Sequence, residues 1–461
     1  MNIGFAAQKI TPNLNEFESG LQLGGYAPRQ LCSGIHDDLF ARAAYFETMV
    51  AGAKNSTLLI TCDLLSIPHF IAQPVKAAIS SRIGIPETQI MISATHTHHG
   101  PDLYGTFREG AIGILKGLFF PRPPNRYLVQ IAKKLCLVAE KAYEDRKPAQ
   151  LGAGQIMISS EDRVMMNRRD VFNEAASKYP ISVIKVAQEG KLVGIIANYA
   201  IHGTVLPRYN TKITADYVGY LIKTLERAHP ALKGKCLYFN GPCGEINPLT
   251  TELKEKMAKV KSMEELTADD IYDQLGTWAD AARIGETVAK YILQLLPSIQ
   301  CEITETQIQV HSSEVEIPFT PVPLGSGFSQ VLQMLGFRIK QRLFKTFIKY
   351  GLLKSNIFLK TIHVEQGFVE TFLQRIDLGP CSIYTAPGEY FLELAKEVLT
   401  ENQKNSGRSD RIAFVIELAN DSIGYLYTMQ AFVEGGYESS FSLIPLGGRL
   451  ITIALKNLAR L

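Results

Sequence analysis

Ile90-Met91-Ile92-Ser93-Ala94-Thr95-His96-Thr97-His98-His99-Gly100-Pro101 is an apolar run that breaks into three histidines within four residues and closes on Gly-Pro. The apolar part has the composition and length of a buried strand, and the Gly-Pro pair ends it. Imidazole is the commonest neutral metal ligand, and a strand end fixes where each ring points, so this loop is a candidate metal site. Taken alone, the stretch is equally a polar surface loop rich in His. Segments of the same design further along the chain favour the metal.

Working outward, strand-like runs at 56–60, 89–93, 192–199, 236–239, 382–384 and 412–418 alternate with helical patterns at 73–83, 126–143, 217–227, 269–296 and 390–399. The expectation is an α/β fold, a mixed sheet flanked by helices, with the site built from loops at strand ends. The chemically rich segments are spread from about residue 96 to residue 437, so residues 1–461 read as a single catalytic domain. No internal repeat and no long linker is evident.

The 461 residues are 46% hydrophobic and 20% charged, enough for a large core. Lys plus Arg is 48 against 45 Asp plus Glu, a net charge of +3 that argues against general nucleic-acid binding. The N-terminal Met1-Asn2-Ile3-Gly4-Phe5 lacks the basic start and apolar stretch of a signal peptide, and no apolar run reaches membrane-spanning length. Seven cysteines without a CxxC pair fit a reducing compartment, so a cytoplasmic protein is expected.

Residues 325–360 carry seven basic side chains, among them Lys340, Lys345 and Lys349, and no acid, with apolar residues close to helical spacing. Such a basic amphipathic insertion suits peripheral contact with an anionic membrane, or the solvated face of a surface helix. The apolar loop 105–124 follows the histidine cluster and reads as a substrate entrance or as a packing loop.

Four later segments repeat the design. Asn198-Tyr199-Ala200-Ile201-His202-Gly203-Thr204 ends an apolar strand in a histidine beside Gly. It is a second metal ligand or a structural histidine. Asn240-Gly241-Pro242-Cys243-Gly244-Glu245-Ile246-Asn247-Pro248 is a tight turn whose backbone N–H groups could hold an oxyanion, or a plain structural turn. Thr385-Ala386-Pro387-Gly388-Glu389-Tyr390-Phe391 places Glu389 at an expected helix start, where a carboxylate is favoured by the dipole or free to ligate. Gly424-Tyr425-Leu426-Tyr427-Thr428 and Glu434-Gly435-Gly436-Tyr437-Glu438 set tyrosines beside glycines.

In this order the segments resemble the neutral/alkaline (non-lysosomal) ceramidase family. Lys9-Ile10-Thr11-Pro12, Gly24-Gly25-Tyr26 and Gly34-Ile35-His36-Asp37-Asp38 match it near the N-terminus, and the resemblance runs to about residue 440. It implies a zinc amidase in which His96, His202, Glu389 and Tyr437 ligate Zn2+. His98 would be the acid/base or oxyanion-stabilising imidazole, and Arg168, or Arg169 beside it, would orient the substrate. Asn247 stands where the family has a serine and could hydrogen-bond a substrate hydroxyl or amide. His99 replaces a small Ser. Full-length members carry a C-terminal β-sandwich domain, for which a chain ending at Leu461 has no room, so the catalytic domain alone is expected.

The implied reaction is hydrolysis of a linear amide, with an N-acyl sphingolipid such as ceramide as the lipid partner, giving a fatty acid and a sphingoid base. The alternatives are a zinc hydrolase of a more soluble amide or ester, and a non-catalytic lipid- or metal-binding relative. Oligomeric state is left open.

Overall fold

The structure, a computed structural model, describes residues 1–17, 20–26, 31–103, 126–272, 275–301, 308–318, 368–405, 411–440 and 444–461. The basic stretch 325–360 and the loop 105–124 lie outside the described residues.

One topology occurs three times in chain order. Strands Asn2–Lys9, Phe40–Val50 and Ala53–Cys62 form an antiparallel meander; helix His69–Ile83 then crosses over to Ile90–Ala94, which lies parallel to Ala53–Cys62. Gln150–Ile156, Ile181–Gln188 and Lys191–Tyr199 repeat the meander, and helix Asp216–Ala228 leads to the parallel Cys236–Asn240. Ile308–Pro318, Phe368–Leu378 and Cys381–Thr385 repeat it again, with helix Leu392–Asn405 before the parallel Ile412–Ile416. Each crossover helix packs on a second helix that follows its unit: Arg126–Glu144, Trp278–Leu295 and Gly447–Ala459 in turn.

The sequence reads as one mixed sheet; the described residues form three principal sheets. Their inner faces meet in a shared core containing Leu59 and Met91 from the first, Ile196 and Phe239 from the second, and Ile383 and Phe414 from the third. The outer faces are covered by the helix pairs, over Leu58 and Ile60, Ile195 and Ala197, and Tyr384 and Val415 respectively. Neighbouring side chains on a strand point to opposite faces, and Ile90–Ala94, Cys236–Asn240 and Cys381–Thr385 are buried on both, so these strands read as short, mainly apolar runs. Such runs do not reveal how many sheets they build.

The expected helix over 269–296 is two helices, Ala268–Tyr272 and Trp278–Leu295. Between them Gly276 packs so closely on the Val205 carbonyl that a Cβ would lie 1.8 Å from it, and Thr277 starts the second helix through a capping box with Asp280. The helix expected from residue 390 starts at Leu392, because Glu389–Tyr390 pairs in parallel with Tyr425–Leu426. No helix among the described residues is long and apolar enough to cross a membrane.

Candidate metal centre

The carboxyl ends of the parallel strands bring the chemistry together, as is general for ligand sites of α/β sheets. His96 and His98 follow Ile90–Ala94, His202 follows Lys191–Tyr199, and Glu389 follows Cys381–Thr385. His96 has φ 65°, a left-handed conformation costly for a side chain with a Cβ and held only where neighbours dictate it. Those neighbours are the loop of His202: Thr97 bridges to Gly203, and His98 N donates to the Gly203 carbonyl at 3.2 Å. A Cβ on Gly203 would lie 2.2 Å from the His96 carbonyl oxygen, so glycine is what lets the two loops join.

His96 Nδ1 is 2.9 Å from the Leu65 carbonyl, and His202 Nδ1 is 2.8 Å from the Cys243 carbonyl. A carbonyl can only accept, so both rings donate Nδ1–H to it and turn Nε2 towards the cluster. The two Nε2 atoms lie 3.0 Å apart. Glu389 Oε2 is 3.2 Å from His202 Nε2 and 3.5 Å from His96 Nε2. His98 Nε2 is 3.5 Å from His96 Nε2, while its Nδ1 is buried without a hydrogen-bond partner.

Nitrogens and a carboxylate oxygen so close repel unless a proton or a metal ion lies among them; without a metal, and against the effect of its burial, Glu389 raises the His96 pKa. A tetrahedral zinc ion with bonds of about 2.0–2.1 Å spaces its donors about 3.3 Å apart, which matches these separations. His96, His98 and His202 thus form a buried cluster able to hold a metal ion. Burial works against the Glu389 anion, but His202 and His96 hold its carboxyl well below the usual range. Burial, then the neighbouring His96, lowers His202 to about 4; burial with His96 and His202 lowers His98 well below its ordinary value, leaving a neutral imidazole.

Behind the donors lies a layer that the sequence did not reveal. Glu417, fully buried, accepts from Cys243 N at 2.9 Å and Tyr390 N at 3.0 Å through Oε2, and from Cys243 Sγ at 2.8 Å through Oε1. It thereby fixes the residue whose carbonyl orients His202. The turn 240–248 does not present free donors: the N–H groups of Gly241, Cys243, Gly244 and Ile246 go to Tyr199 O, Glu417, Tyr390 O and Cys243 O. Nor does Glu389 cap the following helix. That role falls to Glu245, whose two oxygens accept from Leu392 N at 3.0 and 3.1 Å. Burial pushes the Glu245 carboxyl up to about 8.

Arg168 is buried, and each of its three nitrogens is engaged: Nε with Glu438 Oε1 at 2.7 Å, one terminal nitrogen with Asn247 Oδ1 at 3.1 Å, the other with the Gly244 carbonyl. Its guanidinium lies 5.3, 5.5 and 5.8 Å from the ring centroids of Tyr425, Tyr437 and Tyr272. Asn247 is engaged at both ends, because its Nδ2 donates to the Ile271 carbonyl at 3.0 Å. Tyr425 pairs in register with Glu389, and its hydroxyl faces that carboxylate. Tyr437 is one ring further out, 5.8 Å from the Tyr425 ring and 41% exposed. His99 turns away, its Nε2 on the Pro207 carbonyl at 3.2 Å.

Fold and donor set define a mixed α/β protein with a buried histidine cluster, built at strand ends, that can hold a metal ion. The chain belongs to the neutral/alkaline non-lysosomal ceramidase family, whose N-terminal profile matches residues 1–235. A neutral ceramidase from Pseudomonas aeruginosa is 28% identical over 207 residues, 42% of this chain and 30% of that protein. The neutral ceramidase of Drosophila melanogaster is 26% identical over 247 residues, 49% of this chain and 33% of that one. The matches thus span about a third of these relatives' length. The crystal structure of the Pseudomonas aeruginosa neutral ceramidase superposes with a TM-score of 0.70 at 17% identity, over 100% of this chain and 74% of that one. A ceramidase complexed with C2 gives 0.71 at 17% identity, with the same coverage.

Proposed function

We propose that this protein is a zinc-dependent amidohydrolase that cleaves an N-acyl sphingolipid of the ceramide type into a fatty acid and a sphingoid base. The observation that carries the reading is the convergence of two Nε2 atoms and a carboxylate oxygen within 3.0–3.5 Å of one another, both Nδ1 atoms being committed to carbonyls. Its family membership, and relatives named as neutral ceramidases, supply the substrate class.

His96, His202 and Glu389 would hold the metal, with a phenol as fourth donor. Tyr437 is the tyrosine that family resemblance assigns there, and Tyr425 the one that faces Glu389. Lewis acidity and activation of water are what zinc supplies in such a donor set. His98 is neutral and adjacent, so it accepts a proton on a ring nitrogen and passes it to the leaving amine. Arg168 and Asn247 are occupied by each other and by the protein, so they shape the site by holding its walls. Turnover of ceramide and a panel of N-acyl amines, soluble amides and esters, with and without a chelator, tests the reading. Chelator-sensitive release of fatty acid from ceramide is expected; hydrolysis that a chelator leaves untouched, or of soluble esters only, overturns it.

A further inference from the structure

The segment that carries Tyr437 is poorly suited to hold itself in place. Helix Tyr437–Ser440 is four residues long, too short to be stable alone, and it follows two glycines with φ of 77° and 107° that set its direction. The Tyr437 side chain is 41% exposed. Next to it, Glu438 is fully buried and gripped by two consecutive arginines: Arg168 Nε reaches Oε1 at 2.7 Å, and Arg169 Nη1 reaches Oε2 at 3.0 Å. Arg169 also holds the hinge itself, through the Gly435 carbonyl at 3.1 Å and Glu434 at 2.8 Å. Arg168 is fixed from the other side by Asn247, which is tied to the Ile271 carbonyl.

We propose that Glu438 is a positioning residue: clasped by Arg168 and Arg169, it docks the 435–440 segment and holds the Tyr437 ring against the candidate metal centre. This rests on reading Tyr437 as part of that site. A carboxylate bound to two guanidiniums gives charge-assisted hydrogen bonds of fixed direction; removing it leaves the buried Arg168 without its ion-pair partner and Arg169 with Glu434 alone. The Tyr437 ring then loses the backbone that aims it, although nothing touching the histidines has changed.

The test compares Glu438→Gln and the milder Arg169→Met with wild type. Amide hydrogen exchange over 434–440 is read first, since it needs no substrate. Exchange about tenfold faster there, with the strand amides unchanged, is expected. Unchanged exchange at 434–440 in both variants overturns the proposal, whatever happens to the melting temperature. The second arm is a double-mutant cycle on kcat/KM with ceramide. Glu438→Gln is expected to cost about tenfold alone but under twofold when Tyr437 is already Phe, because it acts through that ring. Fully additive losses overturn the proposal. Absence of any amide turnover would sink the functional reading alone, and the exchange arm would still decide the clasp.

Discussion

At the scale of single residues, the site is defined by which ring nitrogens are already committed. His96 and His202 each donate Nδ1–H to a backbone carbonyl, so their facing Nε2 atoms, 3.0 Å apart and beside the Glu389 carboxylate, are set to take a metal ion in place of a proton. Purified protein should therefore carry about one zinc per chain, and His202→Ala should lose most of it, as should His96→Ala. Metal analysis showing full zinc in both variants would remove the donor assignment. His98→Ala should keep zinc and lower kcat by about 10²-fold, the scale for an acid/base group. Loss of metal in that variant would make His98 a ligand, as its place in the cluster also allows. The histidines and Glu389 could be read from sequence because each stands at the end of an apolar run, beside Gly or in a His-rich loop. Glu417, Cys243 and Tyr425 could not: they matter through contacts between chain segments that sequence distance hides, such as Glu417 with Cys243, 174 residues apart.

Among the elements, helix His69–Ile83 shows what periodicity does and does not tell. Its apolar spacing announced a helix, and Ile71, Val75 and Ile79 are buried. Lys76 is buried on the same helix, which no pattern of apolar residues suggests. Its ammonium lies 5.1 Å from the centroid of the Phe372 ring, on a strand of the third unit. Burial lowers the Lys76 pKa to about 7, with Glu87 and Asp421 opposing that shift only in part. The unfolded chain holds this proton up to about pH 10.4. Between those values the unfolded state binds more protons, so stability rises with pH across the window, and the cost of burying the charge is fully present below pH 7. Lys76→Met should therefore raise the melting temperature at pH 6, with the gain shrinking steadily towards pH 10. Parallel curves for wild type and variant would show that Lys76 keeps its charge when folded.

For the whole molecule, the sequence indicated the class and the alternation of elements but not the threefold recurrence. The three units share topology rather than evident sequence similarity, and Ile90–Ala94, Cys236–Asn240 and Cys381–Thr385 are buried on both faces whichever sheet they join. What unites them is a ring of contacts between sheets. Thr61 Oγ1 bonds the Tyr238 carbonyl at 2.8 Å, Asn198 Nδ2 bonds the Val415 carbonyl at 3.1 Å, and Ser93 Oγ bonds the Glu417 carbonyl at 2.9 Å, so that each unit is tied to both others. Phe239 lies fully buried in the core that all three sheets share. Phe239→Ala should cost about 3–5 kcal/mol, the range for emptying a large aromatic site. The loss should fall on the whole molecule, because the cavity opens on all three inner faces and no unit has another partner for its inner face. Trp278, the single tryptophan, begins a helix of the second unit and stacks on His36 of the first at 3.7 Å, so it reports those two units, while far-UV circular dichroism reports all three. In urea the two signals should move together, in wild type and in Phe239→Ala, with only the midpoint lowered. A Trp278 transition that precedes the loss of circular dichroism would mean that the units unfold separately. The candidate metal centre, with donors from all three, would then be the joint that holds them together.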